Sequence, residues 1–204
     1  MTHLRRLFAA CILIALPAAA QAAPLTIVEV GAPAVNCVFN TTCKIIVTDS
    51  VGAIAVPDAV GTASLQSRSY VGAPGAPAAG KIGYEYRVDL TQSVAVGGAV
   101  CVSALKIEFG PISKFHYKTG GPPADVFVVT SGGLGNVGLA SADQTGDVIT
   151  FNFKNPGVCP GASPGKGDTS FFFGLAAVKP PKAITAQVKL GAAFVIVPAR
   201  APNY

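Results

Sequence analysis

At 204 residues the chain is long enough for one domain with a sizeable core, and its formal net charge of +5 is scattered, with no long run of one sign. Charged residues make up 12% of the chain, against a typical ~25%. So few charges, so dispersed, exclude the concentrated basic face that nucleic acid requires.

Met1–Ala22 has the layout of a secretory signal peptide. Arg5 and Arg6 form the positive n-region, Leu7–Leu16 the apolar h-region, and Pro17 a helix break. Ala20-Gln21-Ala22 is a small-x-small cleavage signature. Arg5-Arg6-Leu7-Phe8 also partly resembles a twin-arginine signal, so both export routes stay open. Cys11 as a lipid acceptor is rejected, because cleavage there would split the h-region. The run is short of the ~20 apolar residues that span a bilayer. No later stretch is longer, Ala193–Pro198 included, and the tail Arg200–Tyr204 carries no anchor. The expectation is a mature chain of residues 23–204, secreted, periplasmic or at the cell surface.

Four cysteines remain after cleavage: Cys37, Cys43, Cys101 and Cys159. The favoured pairing is Cys37–Cys43, bracketing a segment that can turn back on itself, and Cys101–Cys159, closing a long loop. A zinc site is rejected, because Cys101 and Cys159 are isolated rather than in close pairs.

The mature sequence reads as strands between Gly/Pro loops. Tyr84–Leu90 alternates cleanly, with Tyr84, Tyr86, Val88 and Leu90 on a core face and Glu85, Arg87 and Asp89 on a wet one. Cys101, Ser103, Leu105, Ile107 and Phe109 repeat the pattern, which places Cys101 on the core face. Ile149, Phe151 and Phe153 do likewise, as do Ile184, Ala186, Val188 and Leu190. Further strands are expected at Leu25–Val30, Lys44–Asp49, Ala63–Tyr70, Val126–Thr130, Ser170–Ala176 and Ala193–Val197. No segment shows an apolar repeat at helical spacing. Ala53–Val60 is apolar but contains Pro57, Val71–Gly80 reads as a long loop or an edge, and Asn155–Gly167 reads as a rigid loop tethered by its disulfide. About ten short strands predict an all-β, single-domain antiparallel β-sandwich, Ig-like or jelly-roll-like, with a closed β-barrel as the alternative.

Several catalytic patterns fail on chemistry. Gly133-Leu134-Gly135-Asn136-Val137-Gly138 matches a dinucleotide fingerprint, but too few residues follow for the helix that would hold a pyrophosphate. The short stretch Val137–Ala142 runs straight into an expected turn, Asp143–Gly146. Gly161-Ala162-Ser163-Pro164-Gly165 matches a nucleophile elbow, but Pro164 lacks the N–H an oxyanion hole needs. Gly165-Lys166 is a phosphate loop one residue short, with Gly167 where Ser or Thr should stand. His116 is the sole mature histidine; Ser113 and Asp125 are near in sequence, and a surface histidine is the reading adopted. Asp143 and Asp147, either side of Gly146, are the one calcium candidate. A hydrogen-bonded turn is preferred, so neither a metal nor a cofactor is expected. Asn40-Thr41-Thr42 is a glycosylation sequon. In Phe171-Phe172-Phe173 the middle ring takes the opposite face; the preferred reading buries two rings in the core and one under a loop or the other sheet, and the alternative exposes Phe172 as a contact for a partner or sugar.

Val129–Gly135 together with Gly167–Leu175, which ends Ser170-Phe171-Phe172-Phe173-Gly174-Leu175, resembles the ectodomains of exosortase-sorted (PEP-CTERM-like) bacterial surface proteins. Those often carry a comparable late strand. The chain departs from them in lacking the Pro-Glu-Pro signal, apolar span and basic end, so outer-surface sorting is not implied and no functional residues transfer. The resemblance implies a bacterial envelope or secreted β-domain.

The functional expectation is a non-enzymatic domain acting by surface contact, as matrix component, adhesin or binding module, on an extracellular or envelope partner. The alternatives are a carboxylate-based hydrolase, which needs two facing acids in a groove, and a subunit that pairs strands through an edge beside Val71–Gly80.

Overall fold

The computed structural model describes residues 21–204; Arg5, Arg6, Cys11, Pro17 and the Leu7–Leu16 run lie outside the described residues. In chain order the elements are β1 (Ala23–Pro24), β2 (Ile27–Gly31), α1 (Ala32–Phe39), β3 (Thr48–Ala53), β4 (Ala59–Val71), β5 (Ile82–Ala95) and β6 (Val102–Glu108). Then follow β7 (Val126–Ser131), β8 (Leu139–Thr145), β9 (Val148–Phe153), β10 (Phe172–Ala177), β11 (Pro181–Leu190) and β12 (Ala193–Pro202).

The strands form two six-stranded sheets, ordered β1-β8-β9-β6-β11-β12 and β2-β7-β10-β5-β4-β3. The chain switches sheet at β1–β2, β5–β6, β6–β7, β7–β8, β9–β10 and β10–β11, so neighbours in a sheet are often distant in sequence. This is the all-β sandwich the alternation predicts, and the sheets do not close into a barrel. Pairing is antiparallel except β2 with β7, which is parallel.

The shared core lies between the sheets. Tyr84, Tyr86, Val88 and Leu90 of β5 face Leu105 and Ile107 of β6, Phe151 of β9, and Val188 and Leu190 of β11. Phe151 and Phe173 meet with ring centroids 4.9 Å apart. The two core tyrosines keep their hydroxyls satisfied, Tyr84 donating to the Lys179 carbonyl at 2.7 Å and Tyr86 to that of Arg200 at 2.8 Å. Cys37 is bonded to Cys43 and Cys101 to Cys159, as the spacing predicts.

Four expectations need correction. The first is a helix, α1, where none was predicted. Its apolar stripe is only Val35, Val38 and Phe39, too short to register as a period. The second is β8, which occupies Leu139–Thr145 where Asp143–Gly146 reads as a turn; the turn itself is only Gly146-Asp147. The third is β3, which forms at Thr48–Ala53 rather than Lys44–Asp49. The fourth is β6. Leu190 pairs with Val102 and Lys189 with Ala104, so Ser103 is an extra bulged residue. The bulge reverses the alternation, putting Val102 rather than Cys101 and Ser103 in the core.

Past Val71, the last residue of β4, the segment to Gly80 forms no strand. It folds over α1, where the Ala73 and Ala78 N–H groups donate to the Phe39 and Val38 carbonyls at 2.7 and 2.9 Å. Those are carbonyls at the helix end, which lack partners within the helix. The edge strands of the first sheet, β1 and β12, carry Pro24, Pro198 and Pro202, which lack the N–H donors that strand addition uses; the edges of the second sheet, β2 and β3, carry no proline.

Candidate functional site

The far face of the second sheet is not wet. α1 and the Gly72–Lys81 and Phe115–Ala124 segments cover much of it, building a second apolar layer of Val30, Val35, Phe39, Tyr117, Phe127 and Phe172. Sheet strands buried on both faces need unbroken apolar runs. Val126-Phe127-Val128-Val129 and Phe172-Phe173 supply them, and every residue of β10 is buried.

Across this face runs one row of paired positions: Asp49 of β3, Arg68 of β4, Glu85 of β5, Gly174 of β10 and Phe127 of β7. Charges of alternating sign thus lead from solvent into the covered layer. Glu85, expected on the wet face, is 4% exposed. Its Oε1 accepts a hydrogen bond from the Tyr70 hydroxyl at 3.0 Å. Burial raises its carboxyl to about 7, against opposing pulls from the Tyr70 hydrogen bond and the Arg68 charge. Burial also pushes the Tyr70 hydroxyl well above its usual range.

Two glycines make this geometry possible. A Cβ on Gly83 would lie 2.2 Å from the Tyr70 ring, so only glycine lets that ring lie across β5 toward Glu85. A Cβ on Gly174 would lie 2.6 Å from the tip of the Phe127 ring. Phe39 of α1 then meets Tyr70 edge-on at 4.8 Å, clamping the tyrosine from above.

Arg68 is held in two ways, and its carboxylate partner is shared. Its Nε donates to Asp49 Oδ1 at 2.9 Å, Gln66 shares that oxygen at 2.9 Å, and the guanidinium lies 4.0 Å from the Phe172 ring centroid. Arg87 approaches the same ring at 5.2 Å and pairs with Asp89 at 3.0 Å. Phe172 is therefore 5% exposed, floored beneath two guanidinium groups. That face of β10 is covered, and Phe172 lines the cavity beneath the cover rather than standing open on the surface.

Between α1, the Lys44–Val47 strap, the Gly132–Leu134 loop and the second sheet lies a cavity of about 290 Å³. Arg68, Glu85 and Asn36 are its polar lining. Val35, Ile45, Val47, Val129, Leu134 and Phe172 are its apolar lining. Sequence reading missed Arg68, Tyr70 and Glu85 as a site. The signal was present in the non-alternating runs of β7 and β10, which require a cover over the face that Glu85 shares.

The remaining sequence candidates lie elsewhere. His116 Nδ1 is 2.8 Å from the Gly121 carbonyl in an exposed turn. Asp125 is engaged by Lys114 Nζ at 3.0 Å and the Thr26 N–H at 2.9 Å, so Ser113, His116 and Asp125 do not assemble a triad. Asp143 Oδ2 accepts from Ser141 Oγ at 3.1 Å, while Asp147 sits in the hairpin turn. Among the described residues no three His, Cys, Asp or Glu side chains converge as metal ligands. The strand β8 follows the Gly133–Gly138 loop where a dinucleotide site needs a helix. Ser163 and Lys166 lie in the loop between β9 and β10. Among the described residues no helix is long and apolar enough to cross a membrane. Comparison with known protein families, curated proteins and solved structures finds no match to this chain.

Proposed function

We propose that the chain is an exported, non-enzymatic β-domain that acts by contact, as a matrix component, adhesin or binding module of the extracytoplasmic space. The observation that carries this reading is the recess on the second sheet. It joins an apolar wall to one fixed guanidinium and one buried carboxyl under a helix whose end is closed by Cys37–Cys43. Such a set holds a partner group in place. Acid–base hydrolysis needs a second acid facing Glu85, and the acid in electrostatic reach, Asp49, is engaged by Arg68 and Gln66.

Export is supported by the layout of Met1–Ala22 and by two disulfides, which persist in oxidising compartments. The resemblance of the Ser170–Leu175 strand to exosortase-sorted ectodomains supports an envelope setting.

The test is a screen of purified, oxidised protein against glycan, ester and peptide substrates, beside binding to isolated envelope and matrix fractions of the producer. Binding without turnover is the expected result. Turnover that is lost in Glu85→Gln or His116→Ala overturns the proposal.

A further inference from the structure

We propose that the cavity between α1 and the second sheet is a binding site for small carboxylic acids with an apolar body. The carboxylate meets Arg68 and Asn36, and the body lies against Val35, Ile45, Leu134 and Phe172. This assignment rests on the contact reading above and names the ligand class of its recess.

Size limits the occupant. About 290 Å³ lies at the lower end of the ~300–1,000 Å³ typical of ligand pockets. A small acid fits there, and Leu134, 59% exposed at the rim, gives its apolar body a covering contact.

Charge selects an anion. Arg68 bonds Asp49 through Nε, leaving its terminal nitrogens as donors, the edge that grips a carboxylate in bidentate fashion. The guanidinium carbon sits 4.0 Å over the Phe172 ring centroid, which anchors the fork at the cavity wall. The helix adds to the field. Ala32, its first residue, lines the cavity; its cap, Gly31, gives no side-chain hydrogen bond, and its first turn has no acid. The positive end of its dipole is therefore uncompensated. An amine in the same place would face both Arg68 and that helix end.

Glu85 makes the site sensitive to pH. In its neutral form the carboxyl adds no negative charge beside the ligand and has a proton to donate. Burial favours that form up to about 7. The groups that act on it are Tyr70 and Arg68 from β4, and Asp49 from β3. Tyr117 acts through Tyr70, Arg87 lies on the same strand, and Lys44 lies beside Ile45 on the strap. α1, β7 and β10 bring no charged side chain to this layer.

The experiment is calorimetric titration of the oxidised protein with octanoate and phenylacetate, and with octylamine and phenethylamine, at pH 6 and pH 8. Both acids are expected to bind, about tenfold more weakly at pH 8 as Glu85 ionises. Glu85→Gln, which keeps an acceptor for Tyr70, is expected to bind them without that pH dependence. Arg68→Gln is expected to lose about tenfold or more. Because Arg68→Gln removes a partner of Asp49 and can disturb folding, Leu134→Glu on the exposed rim is the second variant. It adds negative charge at the mouth and should weaken both acids with far-ultraviolet circular dichroism unchanged. Binding of the amines alone, acid binding indifferent to Arg68 and Leu134, or no binding of either class overturns the assignment. None of these bears on the contact reading, which turnover of a substrate would overturn instead.

Discussion

Replacing Glu85 with glutamine should stabilise the protein in neutral and alkaline solution and leave it nearly unchanged in acid. The carboxyl is raised from its ordinary 4.5 to about 7, chiefly by burial. At pH below 4.5 both folded and unfolded chains hold the proton, and the group contributes no pH dependence. Between 4.5 and about 7 the unfolded chain releases a proton that the folded chain keeps. The unfolded state then binds fewer protons, so stability falls as pH rises. Above about 7 the loss is complete. Each unit corresponds to 1.36 kcal/mol, so the shift amounts to about 3 kcal/mol. At 4% exposure little solvent screening reduces it. Glutamine keeps the volume and the acceptor for the Tyr70 hydroxyl, so the pH-dependent difference isolates the ionisation. Urea unfolding of parent and variant at pH 4, 6 and 8, followed by far-ultraviolet circular dichroism with disulfides intact, reads the difference directly. A stability difference that stays constant across these pH values would refute the buried-carboxyl account.

Other perturbations follow from the packing. Phe151→Ala, at a fully buried site between the sheets, should lose about 3–5 kcal/mol in equilibrium unfolding, and a loss under about 1 kcal/mol would contradict its place in the core. The two disulfides should differ, because loop-closure entropy grows with loop length. Removing Cys101–Cys159, with a separation of 58, should cost about 4 kcal/mol, against about 2 kcal/mol for Cys37–Cys43, with a separation of 6. Paired Cys→Ser variants check the order, and a reversal would contradict it. Gly83→Val should displace the Tyr70 ring, break its bond to Glu85 and destabilise the fold by roughly 1–3 kcal/mol. An unchanged unfolding midpoint would show that the ring does not lie where described.

Sequence reading reached the strands that alternate and stay in register. Tyr84–Leu90 and Ile184–Leu190 keep one face inward throughout, so period two suffices to place them. It failed where a single residue or a tertiary partner sets the outcome. The Ser103 bulge reverses facing within one strand, and nothing in Cys101–Phe109 marks it. β8 is built of small polar residues such as Ser141 and Asp143, which carry turn chemistry as readily as strand chemistry. α1 is eight residues long, stabilised by docking on β2 and β7 rather than by its own pattern. Missing the helix hid the site, because Glu85 is exposed on a bare sheet and buried only beneath a cover.

The most direct test of the account is fractionation of the native producer, with the protein followed by intact mass and non-reducing gel. The expected result is a chain that begins at Ala23, carries both disulfides and associates with envelope or matrix material. A full-length, reduced chain in the cytosol would contradict it.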